Sequence, residues 1–203
     1  MTSLAAIASD SLKFVRQVGY GLVRNNGSKI AARLRRWALG TDCRIDTAVT
    51  ISHPANFDAK SGSALGHGCH IGNKHGHMSI GEKSHLGTYC HVNAVQGQVS
   101  IGDDVAIGPG TCIVSYSNQY VPGSDIHESR ITENVTLHDH IFVGANVTIL
   151  PGTVIESHVV VGAGSVVKGR LKSHGLYAGA PCRRLKELRQ QDNHTPEESD
   201  DPT

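Results

Sequence analysis

Residues 137–185 read LHDHIFVGANVTILPGTVIESHVVVGAGSVVKGRLKSHGLYAGAPCRRL, and within this stretch an aliphatic residue returns every six positions: Leu137, Val143, Ile149, Ile155, Val161 and Val167. The same step recurs upstream as Ile101, Ile107, Ile113; as Ile80, Leu86, Val92; and as Leu65, Ile71. Glycine often follows the aliphatic (Gly66, Gly72, Gly81, Gly87, Gly102, Gly108, Gly144, Gly162), and four residues after it stands something small or β-branched, such as Ser84, Cys90, Val105, Thr111, Val147, Thr153, Val159 or Ser165. A period of six suits neither the 3.6 of a helix nor a long amphipathic strand. It suits a short strand plus a turn, wound as a parallel β-helix of hexapeptide repeats in which the aliphatic and the small residue both point inward. Stacked rungs then bury a core that no single repeat could bury alone. A sandwich of short strands is the competing architecture, and it gives no reason for six unbroken hexads.

Composition agrees. The chain has 203 residues, enough for one domain with a real core. Glycine is abundant at 23 residues, aromatics make up only 4%, and charged residues are 18%, below the roughly 25% of average usage, so large rings do not dominate the interior. No stretch approaches the ~20 apolar residues of a membrane span, and no charged region followed by a long apolar run marks a secretory signal. Five widely spaced cysteines without a CxxC pair (Cys43, Cys69, Cys90, Cys112, Cys182) argue against a zinc ribbon or disulfide framework and fit a reducing cytoplasm.

Three segments follow. Residues 1–40 form a basic head, with Lys13, Arg16, Arg24, Lys29, Arg33, Arg35 and Arg36 against Asp10. Its apolar spacing (Leu4, Ile7, Leu12, Val15, Val18, Leu22; then Ile30, Leu34, Trp37) predicts a short helical segment. That segment either caps the open end of the coil or rests on an anionic membrane surface, peripheral to the inner face. Residues 41–185 are the repeat domain. Residues 186–203 finish a C-terminal helix and continue as a polar acidic tail that composition marks as disordered.

The repeat breaks in three places. The step is nine between Ile71 and Ile80 and again between Val92 and Ile101, implying three extra residues at a corner. From about 116 to 135 (YSNQYVPGSDIHESRITENV) the chain leaves the coil, and Leu137 resumes in phase 36 residues after Ile101. Such insertions gather on binding faces.

In the repeat stretch from Leu137 to Leu185, with its flanks, and in the whole of about 43–188, the chain resembles the hexapeptide-repeat acyltransferases, which include galactoside, maltose, serine and virginiamycin acetyltransferases. The resemblance implies a left-handed parallel β-helix, mainly β, with three hexads to each triangular coil, so that residues eighteen apart stack. It implies a homotrimer with sites between subunits, acetyl-CoA as acyl donor, and an excursion loop that reaches a neighbouring subunit and carries a catalytic histidine.

Acyl transfer to a hydroxyl or amine needs a base, donors for the oxyanion, and a groove aligning both substrates. Where the family's loop carries its histidine, this chain reads VSYSNQY and the matching position is Asn118, which cannot accept a proton at neutral pH but can orient a nucleophile or hold an oxyanion. Three readings follow: another histidine acts, with His127 in the same loop or His91 on a nearby rung as candidates; the acceptor amine or the coenzyme A sulfur takes the proton; or the protein binds without turnover. Asn93 matches a position that faces the acceptor in sugar-modifying relatives, the alternative being a corner residue. Tyr116 and Tyr120 could line an acceptor groove or only pack, and Phe142 stands where many relatives have tryptophan. For the donor, VGAN and VGAGS map a pantetheine arm onto Gly144, Ala145, Ala163, Gly164 and Ser165. The ending AGAPCRRLKEL sets Gly179, Ala180 and Pro181 near the adenine, with Lys168, Arg183, Arg184 and Lys186 for phosphates. The competing reading is that the glycines only satisfy the repeat and the basic residues only cap a terminal helix.

No metal is expected. His67, His70, His75, His77 and His85 cluster in the lower coils, and the γ-class carbonic anhydrases, which share the resemblance, need three zinc histidines. His53 and His75 approach the first interval, but Ile80 occupies the third position. His140 and His158, eighteen apart at equivalent corners, are expected to stack as structural residues.

The expectation is a cytoplasmic acetyltransferase acting on a saccharide hydroxyl in surface polysaccharide or lipopolysaccharide assembly, by direct transfer and without nucleic acid. A nucleotide-sugar N-acetyltransferase is the runner-up, xenobiotic acetylation comes third, and a non-catalytic β-helix scaffold is the alternative of another class.

Overall fold

The computed structural model describes residues 42–188. The chain winds through three parallel sheets in turn, one short strand per sheet per coil. The first face is built from Arg44–Ile45, Ala64–Leu65, His85–Leu86, Val105–Ile107, Ile141–Val143, Val160–Val161 and Gly175–Ala178. The second runs Thr50–Ile51, His70–Gly72, His91–Asn93, Cys112–Val114, Thr148–Ile149, Val166–Val167. The third runs Phe57–Ala59, His77–Ile80, Gln98–Ile101, Val135–Leu137, Val154–Ile155, Arg170–Leu171. This is the parallel β-helix that the period of six predicts.

The core follows the repeat residue by residue. Leu137, Val143, Ile149, Ile155, Val161 and Val167 are each at most 1% exposed. The small residues four positions on are buried too, and the polar ones satisfy themselves at the corners. The Ser84 hydroxyl donates to the Gly102 carbonyl at 2.7 Å and accepts from the Val105 amide at 2.9 Å. Burying a hydroxyl without such partners would cost about 1–3 kcal/mol.

Stacking takes the predicted spacing where the repeat is pure: Phe142 pairs with Val160, eighteen residues on, and Ala106 with Phe142 across the excursion, 36 residues on. In the lower coils the offset is larger, Ala64 with His85 and His70 with His91, because the nine-residue steps insert a wider corner. The first such corner is tied down by the buried Asn73, whose side chain donates to the carbonyls of His53 and Asn56 and accepts from the His53 amide. In the last coil the offset shrinks to sixteen, Val161 with Tyr177.

Two expectations about helices meet different outcomes. The predicted N-terminal helical segment lies outside the described residues. The predicted C-terminal helix is corrected: Arg183–Glu187 is a strand, antiparallel to Gly175–Ala178, with all five residues exposed. Gly175–Ala178 is the last rung of its face and presents unpaired backbone groups along its free edge, which the returning chain satisfies. The acidic tail beyond 188 is outside the described residues.

No disulfide joins the five cysteines. No helix among the described residues is long and apolar enough to cross a membrane.

Candidate functional site

The excursion is an ordered hairpin. Tyr116–Asn118 pairs antiparallel with Arg130–Thr132, Asn118 lying opposite Arg130 and Tyr116 opposite Thr132. It leaves from the corner between the second and third faces, where Ser115 and Asn93 stack, and Val135 re-enters beside Val99. Side chains alternate across a hairpin, so Tyr116, Asn118 and Arg130 share one side and Ser117 and Ile131 the other. Between the hairpin and the coil lies a cleft of about 340 Å³ lined by Ser117, Asn118, Gln119, Tyr120, Ile131, Leu150, Pro151 and Lys168. Three predicted site residues, Asn118, Tyr120 and Lys168, thus meet in one place. His127 lies between the two strands, exposed, its backbone amide bonded to Asp125 Oδ1 at 2.8 Å.

The second face carries His91 and Asn93. His91 stacks on His70 (ring centroids 5.1 Å apart, 14° between planes), and Thr50 Oγ1 lies 2.6 Å from His70 Nδ1. Burial first, and His70 second, hold the His91 imidazole below the ordinary histidine range, which favours the neutral, proton-accepting form. Asn93 lies in a strand, and its Oδ1 accepts from the Val95 amide at 3.2 Å, closing its own corner.

The first face carries Phe142, 52% exposed, beside a groove of about 400 Å³ lined also by Asp104, Ala106, Ile141, Val160, Leu188 and three imidazoles. These imidazoles form a column. His140 and His158 stack at 4.9 Å as expected, His158 and His174 at 4.8 Å, and Asp104 Oδ2 sits 2.9 Å from His140 Nδ1. All four hold positive φ, between 53° and 60°, a region in which aspartate and histidine are better tolerated than most side chains. His174 escapes an eighteen-residue search because the last coil is two residues short.

At the corner between the first and second faces, Gly144 and Ala145 stack under Ala163 and Gly164. A Cβ added to Gly144 would come 2.5 Å from the Ala163 amide nitrogen, so only glycine fits there. Gly164, at φ +70°, has open space where its Cβ would be. Ser165 is buried, its hydroxyl donating to the Gly162 carbonyl at 2.6 Å and accepting from the Gly179 amide at 3.1 Å, so it faces the coil interior. Gly179, Ala180 and Pro181 make the turn into the closing strand. Arg183, Arg184 and Lys186 lie on that strand, where Arg184 donates to the Ser173 and His174 carbonyls and sits 6.0 Å over the Tyr177 ring. Lys168 is on a different corner from these three, so the expected cation set is divided between two places.

Within one chain the acceptor candidates are therefore only partly gathered: Phe142 is on the first face, while Asn93 stands beside Ser115 at the base of the hairpin that carries Tyr116 and Tyr120. Arg130 is absent from the expected set. Only the antiparallel register reveals it, since eleven residues separate it from Asn118 in sequence.

Residues 130–169 match the family described as bacterial transferase hexapeptide (six repeats). An Escherichia coli protein named for lipopolysaccharide biosynthesis as an O-acetyl transferase is 44% identical over 52 residues, 26% of this chain and 26% of that protein. The galactoside O-acetyltransferase of Escherichia coli is 35% identical over 60 residues, 30% of either chain. These alignments span under a third of the length of either relative. The crystal structure of a hexapeptide-repeat acetyltransferase of Vibrio cholerae, complexed with acetyl coenzyme A, superposes with a TM-score of 0.61 at 22% identity, covering 93% of this chain and 92% of that one. Residues 130–169 thus match the bacterial transferase hexapeptide model, and the fold of the described residues is the one that this acetyltransferase structure shows.

Proposed function

We propose that the protein is an acetyl-CoA-dependent acetyltransferase acting on a saccharide hydroxyl. The observation that carries this reading is the bare corner Gly144–Ala145 and Ala163–Gly164: two rungs of backbone without bulky side chains, with open space at Gly164, where a narrow pantetheine arm can reach backbone donors. The relatives named for galactoside and lipopolysaccharide O-acetylation support a saccharide acceptor in surface polysaccharide assembly. Arg183, Arg184 and Lys186 are suited to the phosphates of the donor.

The acceptor oxygen attacks the thioester carbonyl; its C–O bond forms, the C–S bond breaks, and the coenzyme A sulfur leaves with a proton. Asn118 donates to the acceptor or the developing oxyanion, and His91, held neutral, takes the acceptor proton directly or through water. Since hairpin, His91 and Phe142 occupy different faces of one chain, a site using all of them draws its parts from two copies, which accords with a homotrimer. The test is release of coenzyme A thiol from acetyl-CoA against a panel of sugars and nucleotide sugars. Acceptor-dependent release supports the reading. Absence of acetyl-CoA binding by calorimetry would leave a scaffold.

A further inference from the structure

We infer that Arg130 reads an oxyanion, phosphate or carboxylate, on the acceptor, so that the substrate class is an anionic saccharide. This rests on the acetyltransferase reading for its chemistry but not for its geometry. Arg130 lies directly opposite Asn118 in the hairpin, and opposite residues on a two-stranded ribbon hold their Cβ atoms about 5 Å apart on the same side. Its guanidinium sits 5.7 Å over the ring of Tyr116, the diagonal neighbour, a cation–π contact that holds it on the same side as Asn118. A planar guanidinium held against a ring loses less freedom per hydrogen bond on binding an oxyanion than a lysine would.

The charge is also uncommitted. The hairpin carries Asp125, Glu128 and Glu133, yet none of them pairs with Arg130, and among the described residues no carboxylate lies within ion-pair distance of it. Next to it the Asn118 amide has no side-chain partner among the described residues, and both are exposed. A guanidinium has five donors and no acceptor, and the carboxamide adds two donors. Such a pair is complementary to an acceptor-only group, and a neutral sugar hydroxyl would leave most of these donors to water. Where a base is expected by resemblance, the hairpin therefore presents a donor fork, which accounts for an asparagine at that position.

The experiment compares the full chain with Arg130→Gln and Arg130→Lys on matched acceptors: a neutral sugar, its phosphate, its uronic acid and its nucleoside-diphosphate derivative. Coenzyme A release is measured alongside calorimetric binding of each acceptor. The wild-type chain should favour one or more anionic members at least tenfold in kcat/KM, with the preference shrinking as salt rises. Arg130→Gln should lower kcat/KM on those by about 10- to 100-fold, the range of a hydrogen bond to a charged group. Arg130→Lys should retain part of the preference. Which anionic member is preferred separates a carboxylate source from a phosphate one. Equal use of neutral and anionic acceptors, or a loss in Arg130→Gln that is the same on both, overturns the inference and leaves the transferase reading intact. Anionic acceptors that bind and are lost in Arg130→Gln, with no coenzyme A released on any acceptor, support the inference and overturn the transferase reading. Melting temperatures of both variants check that the hairpin is intact.

Discussion

Replacing Gly164 by alanine separates the donor groove from the stability of the coil. Gly164 holds φ +70°, and its Cβ would meet nothing within 4 Å, so the substitution clashes with no other part of the chain. The cost to the fold is backbone strain alone: about 1–2 kcal/mol for an L-residue in the left-handed region, partly offset by a stiffer unfolded chain. A net loss of ~1 kcal/mol lowers the melting temperature of a chain this size by roughly 2–4 °C. Gly62→Ala is the matched control. It has φ +71° and its nearest neighbour, Lys83 Cγ, would be 3.7 Å away, yet it lies on a lower coil at another corner. Both variants should melt a few degrees early by circular dichroism. Only Gly164→Ala places a methyl in the open space beside Ala163, and it should raise the KM for acetyl-CoA about tenfold, or ~1.4 kcal/mol of donor binding. If the two variants show the same acetyl-CoA KM, the pantetheine arm does not run over this corner.

Ile149→Ala, at 0% exposure on the last rung but one of the second face, should destabilise by about 2–5 kcal/mol in urea unfolding. Ser84→Ala should cost about 1–3 kcal/mol, because it leaves the Val105 amide buried without its acceptor. His91 titrates below the ordinary histidine range in the folded chain, so the unfolded chain takes the proton first as pH falls through ~6.5. The contribution of His91 is therefore complete above pH ~6.5 and lost on acidification, and His91→Gln should flatten the decline in melting temperature between pH 7 and 5. The same variant should remove an activity limb below pH 6.5 if His91 is the base, and an unchanged pH–rate profile points to His127 instead.

The coil was readable because its information is local and repeated: each aliphatic predicts its own burial, and Leu137 to Val167 are buried without exception. Return in phase at Leu137 and wider corners after Ile71 and Val92 were readable for the same reason. What escaped depends on pairing between distant residues. The strand Arg183–Glu187 has no alternating pattern of its own, being charged on both sides, and is extended only because an edge is available. Arg130 looks like any loop cation until the hairpin register sets it against Asn118. The winding sets Phe142 on the first face, apart from Asn93 and Tyr116, which stand together at the base of the hairpin. A six-residue period tells which residues face inward, but not which outward ones become neighbours.

The closing strand has a consequence for how molecules meet. A coil of parallel rungs ends in backbone groups that would template another coil, the geometry by which repeat arrays grow end to end into fibres. Here the final rung of the first face is met by a strand running the opposite way, carrying Arg183, Arg184, Lys186 and Glu187 outward. A second molecule arriving coaxially would find the wrong direction and a row of charges, so this end favours discrete particles over filaments.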